Sequence, residues 1–206
     1  SNNGVGVAGV DWNAKILPIR VLGADGGTLA DIVAGLEWAV GSSVAGAPIN
    51  PNPADVINLS LGGPGGCIET WQTALDFVSA SAVVVVAAGN SNQNVSSFAP
   101  ANCAGVITVG ATDRAGDRSW FSNYGSRIDV MAPGGDLGED LDSDGFPDGV
   151  LSLGYTSSFT YTFLQGTSMA APHVTGVVAL MKALDPTVDT ARALEALRAS
   201  ATPLGN

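Results

Sequence analysis

The stretch AVVVVAAGN, residues 82–90, carries an apolar side chain at every position from Ala82 to Ala88. Strand side chains alternate between two faces, so such a run leaves neither face for water. It suits a central strand covered on both sides, as in a parallel sheet. Further strands are predicted at Val56–Leu61 in DVINLSLGG, in GVITVGAT and in RIDVMAPGG. Ile16–Leu22 also reads as a buried strand, ended by GADGG.

Helical periodicity separates these runs. Leu29, Ile32, Val33, Leu36 and Val40 follow i, i+3, i+4, i+7 and i+11, with Thr28 as N-cap and Asp31 as a first-turn acid. Cys67–Ser79 reads as a second helix with Trp71, Ala74, Leu75 and Val78 on one face. The alternation predicts an α/β fold: a doubly wound, mostly parallel sheet in a three-layer α/β/α arrangement. Val150–Leu164 alternates apolar and hydroxyl residues and reads as a β-hairpin. A helix starting around Ser168 and a last one over Val188–Ser200 follow. With no internal repeat and no long linker, residues 1–206 are expected to form one domain.

Charge narrows the function. Eight basic against 19 acidic residues give a net charge of −11, which repels a phosphate backbone and argues against nucleic-acid binding. No apolar run approaches the roughly 20 residues of a membrane span. SNNGVGVAGV lacks the basic start of a secretory signal. The two cysteines, Cys67 and Cys103, are either buried thiols or one disulfide.

In open α/β sheets, ligands gather at the carboxyl ends of the strands. Ser60-Leu61-Gly62 and Ala87-Ala88-Gly89-Asn90 lie at such ends, and Gly166-Thr167-Ser168 opens a helix. A serine there is by default an N-cap. Here Gly166 and Met169-Ala170-Ala171 leave room for another molecule, and the helix start offers unpaired N–H groups to a developing oxyanion. Pro172 is expected in the first turn, where its missing N–H breaks no helix bond. His173, the single histidine, lies five residues from Ser168. At about 100° per residue it stands about 140° round the helix and cannot serve as that serine's base.

QGTSMAAPHVTG resembles NGTSMA(A/S)PHV(A/T)G, the nucleophile signature of the subtilisin-like serine proteases. VLGADG, VINLSLGGPGG, VVVVAAGN, ITVGATD, FSNYG and IDVMAPG are similar to that family's segments in the same order. The resemblance implies a serine endopeptidase with Ser168 as the acylating residue and Asn90 as side-chain oxyanion donor. It implies substrate-binding roles for Ser60, Leu61 and Gly62, for Ala87, Ala88 and Gly89, and for Gly26-Gly27 along an extended peptide. The small residues of the pocket walls would admit a bulky apolar side chain, with Phe98 placed to fill part of that space.

The family's order is Asp, His, Ser, and neither its D-(S/T)-G nor its H-G-T-H motif occurs here. NNGVGVAGV resembles the segment following the family's histidine, so the chain is expected to be a partial peptidase domain truncated at both ends and inactive alone. Its expected partners are a peptide or protein substrate and either an N-terminal segment carrying Asp and His or a second copy. The rival expectation is a non-catalytic fragment or pseudoenzyme that only associates or binds peptide; an esterase is a weaker third.

The family's secretion implies an extracellular protein with a Cys67–Cys103 disulfide, closing a loop of 37 residues, 67 to 103 inclusive. Loop-closure entropy makes that worth about 3–4 kcal/mol. DLDSDGFPDG places Asp140, Asp142, Asp144 and Gly145 at D-x-D-x-D-G spacing with Asp148 beyond, a set suited to calcium. Leu151 stands where an EF-hand has its bidentate Glu. Asn3, Val5 and Val7 resemble a second, family-type calcium loop.

Overall fold

The computed structural model describes residues 4–155 and 159–203. Asn3, one of the residues of the second calcium loop, lies outside them. In chain order the elements are α1 (Leu29–Ala39), β1 (Val56–Leu59), β2 (Gly63–Pro64), α2 (Glu69–Ser79), β3 (Val83–Ala87), β4 (Phe98–Ala99), β5 (Ile107–Thr112), β6 (Val130–Pro133), β7 (Val150–Tyr155), β8 (Phe159–Leu164), α3 (Thr167–Leu184) and α4 (Thr190–Ser200).

The main sheet is parallel throughout, in the order β1-β3-β5-β6. β3 is central and every residue of it is buried. Its alternate side chains feed two separate cores. Val84 and Val86 pack with Ile32, Leu36, Trp71, Leu75 and Val78 of α1 and α2. Val83, Val85 and Ala87 pack with Ala170, Ala171, Val174 and Val178 of α3 and Ala193 and Leu197 of α4. The three α/β/α layers thus follow from one apolar run that has no polar side. β2 and β4 form a short antiparallel pair, and β7 and β8 form the expected hairpin.

Local signals explain most boundaries. The Thr28 side chain accepts from the Asp31 N–H at 3.1 Å and caps α1. Asp189 caps α4 in the same way, so that helix begins at Thr190. β1 ends at Leu59, because Ser60–Gly62 leaves the sheet.

Two expectations are corrected. Residues 16–22 carry no regular secondary structure and belong to no β-ladder. Only Ile19 and Val21 turn inward, against Gly35 of α1, while Ile16 is 84% exposed. Apolar content marks a segment able to be a strand; the ladder needs a hydrogen-bonded neighbour as well. Pro172 falls at the sixth residue of α3, beyond the first turn. Proline has no N–H to give the Ser168 carbonyl four residues earlier. Ser60 Oγ donates to that carbonyl instead, at 3.0 Å.

Candidate active site

Three stretches distant in sequence meet at the carboxyl ends of β1 and β3 and the start of α3. Gly166 precedes α3 with φ +143°, a conformation that favours glycine. Its N–H donates to the Gly134 carbonyl after β6 at 2.9 Å. A Cβ on Gly134 would lie 2.3 Å from the Ala111 Cβ, so only glycine permits this approach.

Thr167 is buried and links the helix start to the end of β3. Its N–H and its Oγ both donate to Asn90 Oδ1, each at 2.8 Å, and its Oγ accepts from the Gly89 N–H at 3.0 Å. A backbone N–H can only donate, so the Asn90 atom facing it is the amide oxygen. The Asn90 NH2 is thereby left for other work. It lies 3.2 Å from the position a Gly166 Cβ would take, and the Ser168 backbone nitrogen lies 3.6 Å from the same point. Two N–H groups therefore flank a gap that glycine keeps open, beside a half-buried serine. Such donors, fixed before the reaction, are what a developing oxyanion requires.

Asn123 supports this turn, and sequence reasoning missed it. It is fully buried. Its Nδ2 donates to the Ala88 carbonyl at 2.8 Å, its Oδ1 accepts from the Ser91 and Gln93 N–H groups at 3.1 and 3.0 Å, and its own N–H donates to the Gly89 carbonyl at 2.9 Å. These bonds grip the chain on both sides of Asn90. Thr167 and the Ser60–Ser168 link were also missed.

Ser60 Oγ additionally accepts from Asn58 Nδ2 at 2.9 Å, and Asn58 Oδ1 accepts from Thr175 Oγ of α3 at 3.1 Å. The Ser60–Gly62 wall is thus tied to the nucleophile's helix. Opposite it, Ala87, Ala88 and Gly89 are buried. Gly26-Gly27 belongs to an exposed turn closed by a 2.7 Å bond from the Gly23 N–H to the Gly26 carbonyl. Among the described residues no hydrogen bond joins Gly26-Gly27 to the Ser168 region.

His173 is half-buried, and its Nδ1 lies 2.8 Å from the Met169 carbonyl. An acceptor there requires the proton on Nδ1. The ring is held by its own helix, as its angular position predicts.

In the acidic loop, carboxylate oxygens of Asp140, Asp142 and Asp144 lie within 4.8 Å of one another, and all three residues are exposed. Oxygen donors converging this closely fit a hard cation. Asp148 stands apart from that group. It is buried, pairs with Arg114 at 3.3 Å and accepts from the Leu141 N–H at 2.6 Å. Arg114 also pairs with Asp142 at 2.5 Å. Cys67 and Cys103 form the disulfide, which joins the start of α2 to the segment before β5.

Hydrogen bonds thus tie Ser168 and the start of α3 to the carboxyl ends of β1 and β3. The comparisons make the assignment specific. The family model described as "Subtilase family" matches residues 1–205, and the chain belongs to that family of subtilisin-type serine proteases. It is 50% identical over 198 residues to an "Extracellular protease" of Xanthomonas campestris pv. campestris, a match spanning 96% of this chain and 33% of that protein. It is 37% identical to "Subtilisin BL" of Lederbergia lenta, across 100% of this chain and 67% of that protein. Among solved structures, a protease from Pseudoalteromonas arctica superposes with a TM-score of 0.91 at 48% identity, covering 98% of this chain and 60% of that one. The chain thus spans about a third of the Xanthomonas relative's length. Among the described residues no helix is long and apolar enough to cross a membrane.

Proposed function

We propose that this chain is the serine-bearing part of an extracellular endopeptidase domain that cleaves peptide bonds through an acyl-enzyme on Ser168. Ser168 Oγ attacks the peptide carbonyl carbon, and the C–N bond breaks as the amine leaves with a proton. Asn90 Nδ2 and the Ser168 N–H hold the oxyanion. The observation that carries this reading is the amide of Asn90, whose oxygen is held by Thr167 while its Nδ2 and the Ser168 nitrogen both lie close to the open side of Gly166.

The proton must pass to a base, and His173 is committed to Met169. A histidine–aspartate pair from outside residues 1–206 would supply it, through a separate segment. The chain alone is expected to be inactive. A phosphonate probe should therefore label Ser168 only when a segment carrying the histidine and aspartate is added, and Ser168→Ala should abolish labelling. Turnover by the chain alone, or no labelling of the folded mixture, would contradict the proposal. The second reading is a non-catalytic fragment that only associates with a partner or binds peptide. The exposure of Trp12 and Ile16 favours association.

Asp140, Asp142 and Asp144 would hold calcium, which would neutralise the loop and fix its shape. Terbium luminescence lost in the triple Asp→Asn variant tests this. Relatives named as extracellular proteases and the disulfide together support secretion.

A further inference from the structure

Resting on the peptidase reading, we infer that Gln165 is a positioning residue. It clamps residues 134–149, which join β6 to β7, onto the peptide that enters α3, and so holds Gly166 and Ser168 in place for the reaction. Where the family signature has asparagine, this chain has Gln165. The longer side chain reaches across to the loop, and its Oε1 accepts from the Leu137 N–H at 2.7 Å. A backbone N–H only donates, so the atom facing it is the amide oxygen. An asparagine on the same backbone would stop one methylene short of this bond.

Contacts on the two neighbouring residues line up with this clamp. The Gly166 N–H donates to the Gly134 carbonyl at 2.9 Å. Gly149 lies so close to the end of β8 that a Cβ on it would come within 3.1 Å of the Leu164 carbonyl oxygen. Behind these contacts the loop closes on itself around the buried Asp148. The Asp148 carbonyl accepts from the Asp136 N–H at 2.9 Å, and its N–H donates to the Glu139 carbonyl at 2.8 Å. Its carboxylate accepts from the Leu141 N–H at 2.6 Å and pairs with Arg114 at 3.3 Å. The loop is thus a braced body, and Gln165 fastens it one residue before Gly166, whose open side lies close to Asn90 Nδ2 and the Ser168 nitrogen. A shift of this junction moves the Ser168 N–H relative to Asn90. The oxyanion feels that shift most, because its charge develops in the transition state. The loss should therefore fall on kcat rather than on KM.

The test uses the full-length protein that contains these residues and one peptide p-nitroanilide. Gln165→Ala is expected to lower kcat by roughly 3–10-fold, the effect of one lost hydrogen bond, with KM within about twofold of wild type. Gln165→Met keeps the length of the side chain without its acceptor and should lose as much; it carries the test if the alanine variant fails to fold. Gln165→Glu keeps an acceptor and should recover kcat to within about twofold of wild type. Asp148→Ala, or Arg114→Ala if that variant does not fold, loosens the loop from its far side. Either should lower kcat in the wild-type background and add little to Gln165→Ala. An unchanged kcat in folded Gln165→Met, equal losses in the Met and Glu variants, or loop and Gln165 effects that simply multiply would each overturn the inference while leaving the peptidase reading intact. No hydrolysis by the wild type overturns both.

Discussion

The link between Ser60 and the Ser168 carbonyl exists because Pro172 cannot fill the place, and a double-mutant cycle measures that dependence. Ser60→Ala removes the 3.0 Å donor. A net hydrogen bond contributes about 0.5–1.5 kcal/mol, and this one is partly buried, so a loss of about 1 kcal/mol is expected. Asn58 Nδ2 loses its acceptor as well, but Asn58 is exposed and water replaces it. In a Pro172→Ala background the new N–H at position 172 can close the ordinary helix bond to Ser168. Ser60→Ala should then cost about half as much or less, giving a coupling of about 0.5–1 kcal/mol. Urea unfolding of the four proteins, disulfide intact, reads this from midpoints at constant slope. If Ser60→Ala costs the same in both backgrounds within about 0.3 kcal/mol, Pro172 does not create the need for Ser60 and the argument fails.

Three further outcomes are expected. Asn123→Ala should destabilise the chain by about 2–4 kcal/mol, because the buried Ala88 carbonyl loses its donor outright while the exposed Ser91 and Gln93 N–H groups recover water; a urea midpoint unchanged from wild type would contradict this. Replacing Cys67 and Cys103 together by serine should cost about 3–4 kcal/mol, since the bond closes a separation of 36 residues. Calorimetry of the serine pair against the oxidised protein checks that. Asp185 is held down to about 2 from 3.8, first by the Thr187 hydroxyl, then by the Thr187 N–H and Arg192. A lowered carboxylate stabilises the fold above its unfolded pKa and loses that contribution as pH falls through the folded value. The Tm advantage of wild type over Asp185→Asn should therefore be present at pH 5 and fade between about pH 4 and 2; an advantage constant across that range would show that Asp185 acts without its charge.

Which parts of this protein were legible in its sequence depends on how local their cause is. β3 was readable because seven consecutive apolar residues leave no alternative to burial on both faces. α1 was readable because Thr28 and Asp31 meet within one turn. His173 could be excluded as base from helix geometry alone. Residues 16–22 carry the same kind of apolar signal as β3, yet pairing depends on a neighbouring strand, and periodicity says nothing about neighbours. The position of Pro172 turned on where α3 begins, and the two-residue uncertainty of a helix start is enough to move it out of the first turn.

The site itself divides the same way. Ser168 and Asn90 sit in stretches whose small residues and glycines announce a close approach. The residues that hold them do not. Asn123 lies in FSNYG, where a polar residue among turn formers reads as surface; its burial arises only when that loop closes over residues 88–93.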